Sequence, residues 1–125
     1  MKPNDNATLR RLTRSPVWFL AALTLLLACQ AGGGSGSTAV ELSEFKFQPN
    51  EITATAGRPV KLTLRNTGTV AHDFTVKDLD VASPKVQPRS SAEFAFTPSR
   101  TGTFQIICTE PGHQEGGMVG TLTVR

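Results

Sequence analysis

Short segments in which apolar and polar residues alternate restrict the fold of this chain more than any other feature. In residues 58–68 (RPVKLTLRNTG), valine and leucine alternate with polar residues until Asn66-Thr67-Gly68. Because successive side chains of a strand point to opposite faces, this period is typical of a half-buried β-strand. The same period recurs in residues 71–76, 92–98, 103–108 and 118–124.

Proline, glycine and asparagine separate these segments into strands of about five to eight residues. No stretch of the sequence shows a sustained helical period. From Ala39 to Arg125 there are 87 residues, and we predict that they form an all-β domain, a small antiparallel Greek-key β-sandwich. The phase of the alternation changes between Leu42 and Phe45, which predicts a bulge or a strand that changes sheets.

The first 28 residues have the organisation of an export signal. Basic residues precede an apolar run from Val17 to Ala28, which is short beside the roughly 20 residues of a membrane span. The run ends in Leu26-Leu27-Ala28-Cys29, which resembles a bacterial lipoprotein box. That resemblance implies cleavage before Cys29 and lipidation of its thiol. An uncleaved anchor or an ordinary signal would leave Cys29 unmodified.

Residues 29–38 begin with Cys29 and continue in a stretch dominated by glycine and serine. Such a composition is typical of a flexible tether. We therefore predict three parts: a signal peptide over 1–28, a lipidated cysteine with its tether over 29–38, and a folded domain over 39–125. This arrangement places the domain in the cell envelope outside the cytoplasm, anchored to a membrane.

The charge of the chain argues against a nucleic-acid partner. The whole sequence carries a formal net charge of +3, but the leader alone accounts for it, with four basic residues and one acid (4 − 1 = +3). Residues 39–125 hold nine Lys or Arg and nine Asp or Glu. A neutral domain without a basic patch or an aromatic platform is not built to bind nucleic acid. We expect a monomer.

The residues that bind soft metals are few and clustered. After the leader the chain holds two histidines, one cysteine besides Cys29 and one methionine, namely His72, Cys108, His113 and Met118. The alternation places three of them on the inner faces of strands and His113 in the last loop. One thiolate, two imidazoles and a thioether form the ligand set of a blue-copper electron-transfer site.

Other interpretations of these residues explain less. An inward histidine or methionine can simply pack in the core, and Cys108 could pair with Cys29 in an oxidising compartment. Zinc would leave Met118 without a role. Multicopper oxidases and copper nitrite reductases need more histidines, and a binuclear copper site needs a second cysteine where Gly112 stands. The sequence also lacks a credible pair of nucleophile and base, so we predict a protein that is not an enzyme.

Two segments resemble the cupredoxin family of type 1 copper proteins. CTEPGHQEGGMVG (108–120) resembles its copper loop and VAHDFTV (70–76) its upstream histidine segment. The Cys-x4-His-x4-Met spacing is nearest to rusticyanin and sulfocyanin, and azurin and auracyanin share the Cys-x4-His part. The resemblance covers residues 39–125. It implies one copper ion held equatorially by His72, Cys108 and His113 and axially by Met118, with the Ala71 carbonyl as a weak contact.

One residue departs from the family pattern. Asp73 stands where many cupredoxins carry asparagine. If its side chain bonds the Thr109 region, we expect it to alter the reduction potential.

The resemblance implies a membrane-tethered electron carrier that cycles between Cu(I) and Cu(II). Its expected partners are redox proteins such as a cytochrome or a membrane oxidase. Copper delivery or copper tolerance is the alternative. Glu110 and Glu115 flank His113. Either they steer a positively charged partner toward it, or they are solvated loop acids that have no such role.

Overall fold

The computed structural model describes residues 36–125. In chain order the strands are β1 (Thr38–Ser43), β2 (Lys46–Gln48), β3 (Glu51–Ala54), β4 (Val60–Asn66), β5 (Thr75–Val76), β6 (Val81–Ala82), β7 (Ser91–Phe96), β8 (Gly102–Ile107) and β9 (Val119–Val124). A single 3-10 turn, Lys77–Leu79, follows β5, and residues 36–125 contain no α-helix. Within that range no helix is long and apolar enough to span a bilayer. The predicted signal, Cys29 and the first part of the tether lie outside the described residues.

The strands form two sheets, ordered β2-β1-β4-β7 and β3-β9-β8-β5-β6. This confirms the predicted all-β Greek-key sandwich. The sheets are mixed, however, because β1 pairs with β4 and β3 with β9 in parallel. The chain leaves the first sheet after β2, adds β3 to the second sheet and returns to place β4 beside β1. Strands that are joined by such a crossover can pair in parallel, whereas a hairpin forces antiparallel pairing.

The alternating residues predicted from the sequence fill the space between the sheets. In β4, Leu62 and Leu64 are fully buried. Phe74 is also fully buried, and its ring lies 6.1–6.2 Å from the rings of three other phenylalanines, Phe47, Phe94 and Phe96. The three partner rings belong to β2 and β7 of the first sheet, whereas Phe74 immediately precedes β5 of the second, so Phe74 joins the two layers of the core.

The change of phase after Leu42 has a different cause from the one predicted. β1 and β2 form an antiparallel hairpin in which Ser43 pairs with Lys46, so Glu44 and Phe45 are the two residues of its turn. Phe45 adopts a left-handed backbone conformation with φ 62° and is 51% exposed. The prediction of a bulge or a strand that changes sheets was wrong, because a tight turn reverses the chain there.

Candidate metal centre

Strand register brings Cys108 and Met118 together at one end of the sandwich. β8 and β9 pair antiparallel, and Ile107 lies opposite Val119. Continuing that register by one residue places Cys108 opposite Met118. Both are buried, with 1% and 0% of their surface exposed, as the alternation predicted.

The loop between these two residues is closed by its own backbone hydrogen bonds. The His113 N–H donates to the Glu110 carbonyl (3.0 Å), and the Met118 N–H donates to the His113 carbonyl (2.8 Å). Gly112 and Gly117 have φ of 81° and 99°, values that glycine adopts without steric cost. His113 therefore folds back toward Cys108 while remaining partly exposed, in the loop position predicted for it.

His72, from the middle of the chain, lies at the same end of the sandwich as Cys108 and Met118. It forms an isolated bridge with Val86, in which each backbone N–H donates to the other carbonyl at 2.8–3.1 Å. The buried Asn66 fixes this bridge by donating from Nδ2 to the carbonyls of Val70 (2.7 Å) and Val86 (2.8 Å). The sequence indicated only a turn at Asn66, so this structural role was missed.

The side-chain donors of His72, Cys108 and His113 converge, with their ligand atoms all within 4.8 Å of one another. Cys108 Sγ lies 3.8 Å from Nδ1 of His72 and 3.6 Å from Nδ1 of His113. A trigonal metal with bonds of about 2.3 Å to sulfur and about 2.0 Å to nitrogen would hold these atoms about 3.7 Å apart. The donor set therefore fits a metal ion that binds one thiolate and two imidazoles.

Burial favours the uncharged form of two of these donors, Cys108 and His72. It raises the pKa of the Cys108 thiol above its usual range. Burial, followed by the proximity of His113, lowers the pKa of His72. Cys108 would hold a metal as the thiolate and would therefore release its proton on binding, and His72 would bind as the neutral imidazole.

Residues 16–124 match the family of the cupredoxin-like domain. The chain belongs to the cupredoxin family. Its cofactor is copper, and the four residues His72, Cys108, His113 and Met118 are arranged as in a type 1 site.

Two relatives in sequence and one in structure support this assignment. The copper-resistant cuproprotein CopI of Pseudomonas aeruginosa is 26% identical over 77% of this chain and 80% of its own. Plastocyanin of Dryopteris crassirhizoma is 30% identical over 68% of this chain and 93% of its own. The structure of dithionite-reduced auracyanin from Roseiflexus castenholzii superposes with a TM-score of 0.64 at 23% identity, covering 74% of this chain and 99% of that one. The last match shows the shared fold.

Asp73 of this cupredoxin bonds Thr109, as the sequence suggested, and also lies against the cysteine. Thr75 and Ile107 are opposite each other in the pairing of β5 with β8, and the continued register places Asp73 opposite Thr109. Asp73 Oδ1 accepts hydrogen bonds from the Thr109 N–H (2.7 Å) and hydroxyl (3.0 Å) and lies 3.4 Å from Cys108 Sγ. A buried carboxylate thus stands beside the sulfur, and its predicted effect on the potential remains a prediction. So does the contact of the Ala71 carbonyl with copper.

The turn of the β1–β2 hairpin contributes two residues that sequence reasoning did not connect with the copper end. The Phe45 ring packs edge-on against the His113 ring, with centroids 5.5 Å apart. Glu44 Oε1 lies 4.0 Å from Nε2 of His72. The change of phase after Leu42 marked this turn, but no local pattern shows where a turn will dock.

The two acidic loop residues, Glu110 and Glu115, differ from each other in their surroundings. Glu110 forms an ion pair with Lys85, and its hydrogen bond is the main cause that raises the pKa of Lys85. Glu115 is exposed. Local pairing therefore offsets the charge of Glu110, and any steering of a partner rests mainly on Glu115.

Proposed function

We propose that this cupredoxin is a membrane-tethered mononuclear blue-copper protein that carries single electrons between redox partners outside the cytoplasm. His72, Cys108 and His113 are the proposed equatorial ligands and Met118 the axial one. Cys108 Sγ at 3.8 Å and 3.6 Å from the two imidazole nitrogens supports this ligand set. Bound copper supplies the chemistry, the gain and loss of one electron. The protein is not proposed to be an enzyme.

The protein's own residues keep the site in one geometry. The bridge of His72 with Val86 fixes one imidazole, and the backbone bonds of the 108–118 loop fix the other. The Cys108 thiol gives up its proton when the metal binds. A site that changes little between oxidation states keeps the cost of reorganisation small, which favours rapid electron transfer.

The observation that carries this proposal is the unequal exposure of the donors. His72, Cys108 and Met118 are at most 1% exposed, whereas His113 is only partly buried. Phe45, 51% exposed, packs against the His113 ring, and Gly116 leaves room for it, because a Cβ at Gly116 would overlap the Phe45 ring. One imidazole thus reaches the surface beside an apolar side chain, where a cytochrome or membrane oxidase can approach.

Two measurements test this proposal. Copper added to the purified protein should give an intense thiolate absorption in the visible range and the EPR spectrum of a type 1 site. Phe45→Ala should then slow electron exchange with a cytochrome c without changing the visible spectrum. Arg58→Ala is the control, because Arg58 lies in the turn after β3 (Glu51–Ala54), at the opposite end of the sandwich. Equal slowing by both substitutions would contradict an electron path through His113.

Copper tolerance is a second candidate, because a relative in sequence is named as a copper-resistant cuproprotein. A delivery protein needs to release its metal, whereas an electron carrier retains it. The burial of three donors supports retention. We expect the Cu(I) form to hold its metal against an excess of a Cu(I) chelator for hours. Release within seconds, together with greater copper sensitivity of a strain that lacks the protein, would favour the second candidate.

Anchoring through lipidated Cys29 is a separate part of the proposal and is supported only by the sequence. One acyl chain holds a protein to a bilayer only marginally, so stable anchoring requires the several chains of a mature lipoprotein. The wild type should sediment with membranes and carry the mass of the lipid. Cys29→Ser should lose both properties. Unmodified wild-type protein in the soluble fraction would contradict the anchor.

A further inference from the structure

The ring of His72 is turned so that its two nitrogens face different surroundings. Nδ1 faces Cys108 Sγ at 3.8 Å. Nε2 points away from the donor cluster, is fully buried and has no hydrogen-bond partner within residues 36–125. If Nδ1 binds a metal ion, Nε2 must carry the ring proton. That buried N–H requires an acceptor, because an unsatisfied buried donor costs about 1–3 kcal/mol.

A carboxylate stands close to this nitrogen. Glu44 Oε1 lies 4.0 Å from Nε2 of His72. This separation exceeds a hydrogen bond by about 1 Å, a gap that a small rotation of the glutamate side chain can close. The Glu44 side chain is 38% exposed, whereas the imidazole is fully buried, so the carboxylate and not the ring makes this adjustment.

Glu44 is held beside His72 by the loop that leads into it. The N–H groups of Thr69 and Val70 and the Thr69 hydroxyl all donate to Oε1. These bonds lower the pKa of Glu44 to about 2, and the bond from the Thr69 N–H contributes most. The carboxylate is therefore ionised at neutral pH. Gly68 makes the approach possible, because a Cβ there would come within 2.6 Å of Glu44 Oε1.

We propose that Glu44 is a positioning residue for the copper ligand His72, accepting the Nε2–H when Nδ1 binds the metal. A carboxylate in this place fixes the tautomer and orientation of the ring and increases its donor strength. A stronger donor with a nearby negative charge stabilises Cu(II) more than Cu(I). Glu44 thereby lowers the reduction potential. This inference rests on the proposed ligand set.

The test compares two substitutions that remove the same charge from the same hairpin. Glu44→Gln keeps a carbonyl oxygen for the Thr69 and Val70 N–H groups but removes the charge. Glu41→Gln is the control, because Glu41 lies on β1 (Thr38–Ser43) and its carboxylate accepts a hydrogen bond from Thr67 Oγ1 (3.0 Å). We expect Glu44→Gln to weaken Cu(II) binding relative to Cu(I) by about tenfold, which raises the potential by about 59 mV. Glu41→Gln should leave the potential unchanged.

A second measurement separates positioning from simple loss of charge. In the diamagnetic Cu(I) protein, the His72 Nε2–H should give a slowly exchanging proton signal in the NMR spectrum. Glu44→Gln should shift this signal and accelerate its exchange, and Glu41→Gln should do neither. If both variants match the wild type in potential and in this signal, the role of Glu44 is refuted although the copper site stands. A wild-type protein that shows no thiolate-to-copper absorption would overturn the ligand set and this inference together.

Discussion

Segment 71–76 and loop 109–117 carry one histidine each, but they differ in burial. Residues 72–76 are all buried, whereas every residue of the loop is exposed or only partly buried. The segment ends in β5 (Thr75–Val76), an inner strand of the second sheet, and Phe74 anchors it in the core. The loop is held mainly by hydrogen bonds within its own backbone. In the proposed function this difference separates two tasks: the buried histidine controls the chemistry of the metal, and the exposed one provides access to it.

The largest expected effect follows from removing the Cys108 thiol, which lies between the histidine of the segment and that of the loop. Cys108 Sγ contacts both imidazoles, so Cys108→Ser should abolish the visible absorption of the copper protein. The fold should remain, because apolar side chains fill the core without the metal. Absorption spectra measure the loss of the visible band, and circular dichroism spectra show whether the fold remains. Cys29→Ser removes the other cysteine and serves as control. A visible band retained at full intensity in Cys108→Ser would refute the assignment of the thiolate.

Two substitutions, one in each region, should differ by several kcal/mol in their effect on the free energy of unfolding. Phe74→Ala removes a fully buried ring and should lower the free energy of unfolding by about 3–5 kcal/mol. Glu115→Ala changes an exposed loop residue and should alter it by less than about 0.5 kcal/mol. Denaturant unfolding of the metal-free protein measures both values. Similar losses would mean that the loop contributes to the core after all.

Met118, the proposed axial ligand, allows a smaller test of the buried part of the site. Met118 is fully buried, and Met118→Leu conserves its volume, so the loss of stability should stay below about 1.5 kcal/mol. Removing the thioether destabilises Cu(II) relative to Cu(I). The potential should therefore rise by roughly 59 mV for each tenfold change in relative affinity. Voltammetry measures this shift, and a potential equal to that of the wild type would argue against axial ligation.

The contribution of Glu44 to stability depends on pH, and this dependence gives a finer test of the contacts around segment 71–76. Its pKa is about 2 in the folded protein against an ordinary value of 4.5. A lowered pKa means that the carboxylate stabilises the fold fully above pH 4.5 and progressively less as the pH falls toward 2. The difference in unfolding free energy between the wild type and Glu44→Gln should shrink over that range in the metal-free protein. A difference that does not vary with pH would contradict these contacts.

The smallest expected effect concerns the loop acids. Glu110 is paired with Lys85, whereas Glu115 is exposed. Glu115→Gln should therefore slow electron exchange with a basic cytochrome c more than Glu110→Gln does, at low salt only. Stopped-flow rates at low and high salt measure the effect. Identical rates for both variants and the wild type at low salt would remove any role in steering.

Much of the fold was predictable because local alternation controls it. The buried positions of β4 (Val60–Asn66) and β9 (Val119–Val124) follow directly from period two, and in β8 (Gly102–Ile107) the buried Ile107 is the one departure from it. The same rule was incomplete for segment 71–76, where Asp73 and Thr75 are buried as well. These two side chains hydrogen-bond to each other (2.7 Å), and Asp73 also binds Thr109. Alternation assumes one solvent-facing side, and this segment has none.

The sequence by itself determined the chemistry of the centre, because besides Cys29 only four side chains after the leader are soft metal donors and the spacing of three of them fits one loop. It also determined the all-β class, since alternating segments bury one face of a sheet against another layer. Only the tertiary structure decided that Glu44 approaches His72, that Phe45 packs against His113 and that Lys85 neutralises Glu110. These contacts join residues distant in sequence. Their partners are chosen by the packing of whole strands and loops, which no local pattern encodes.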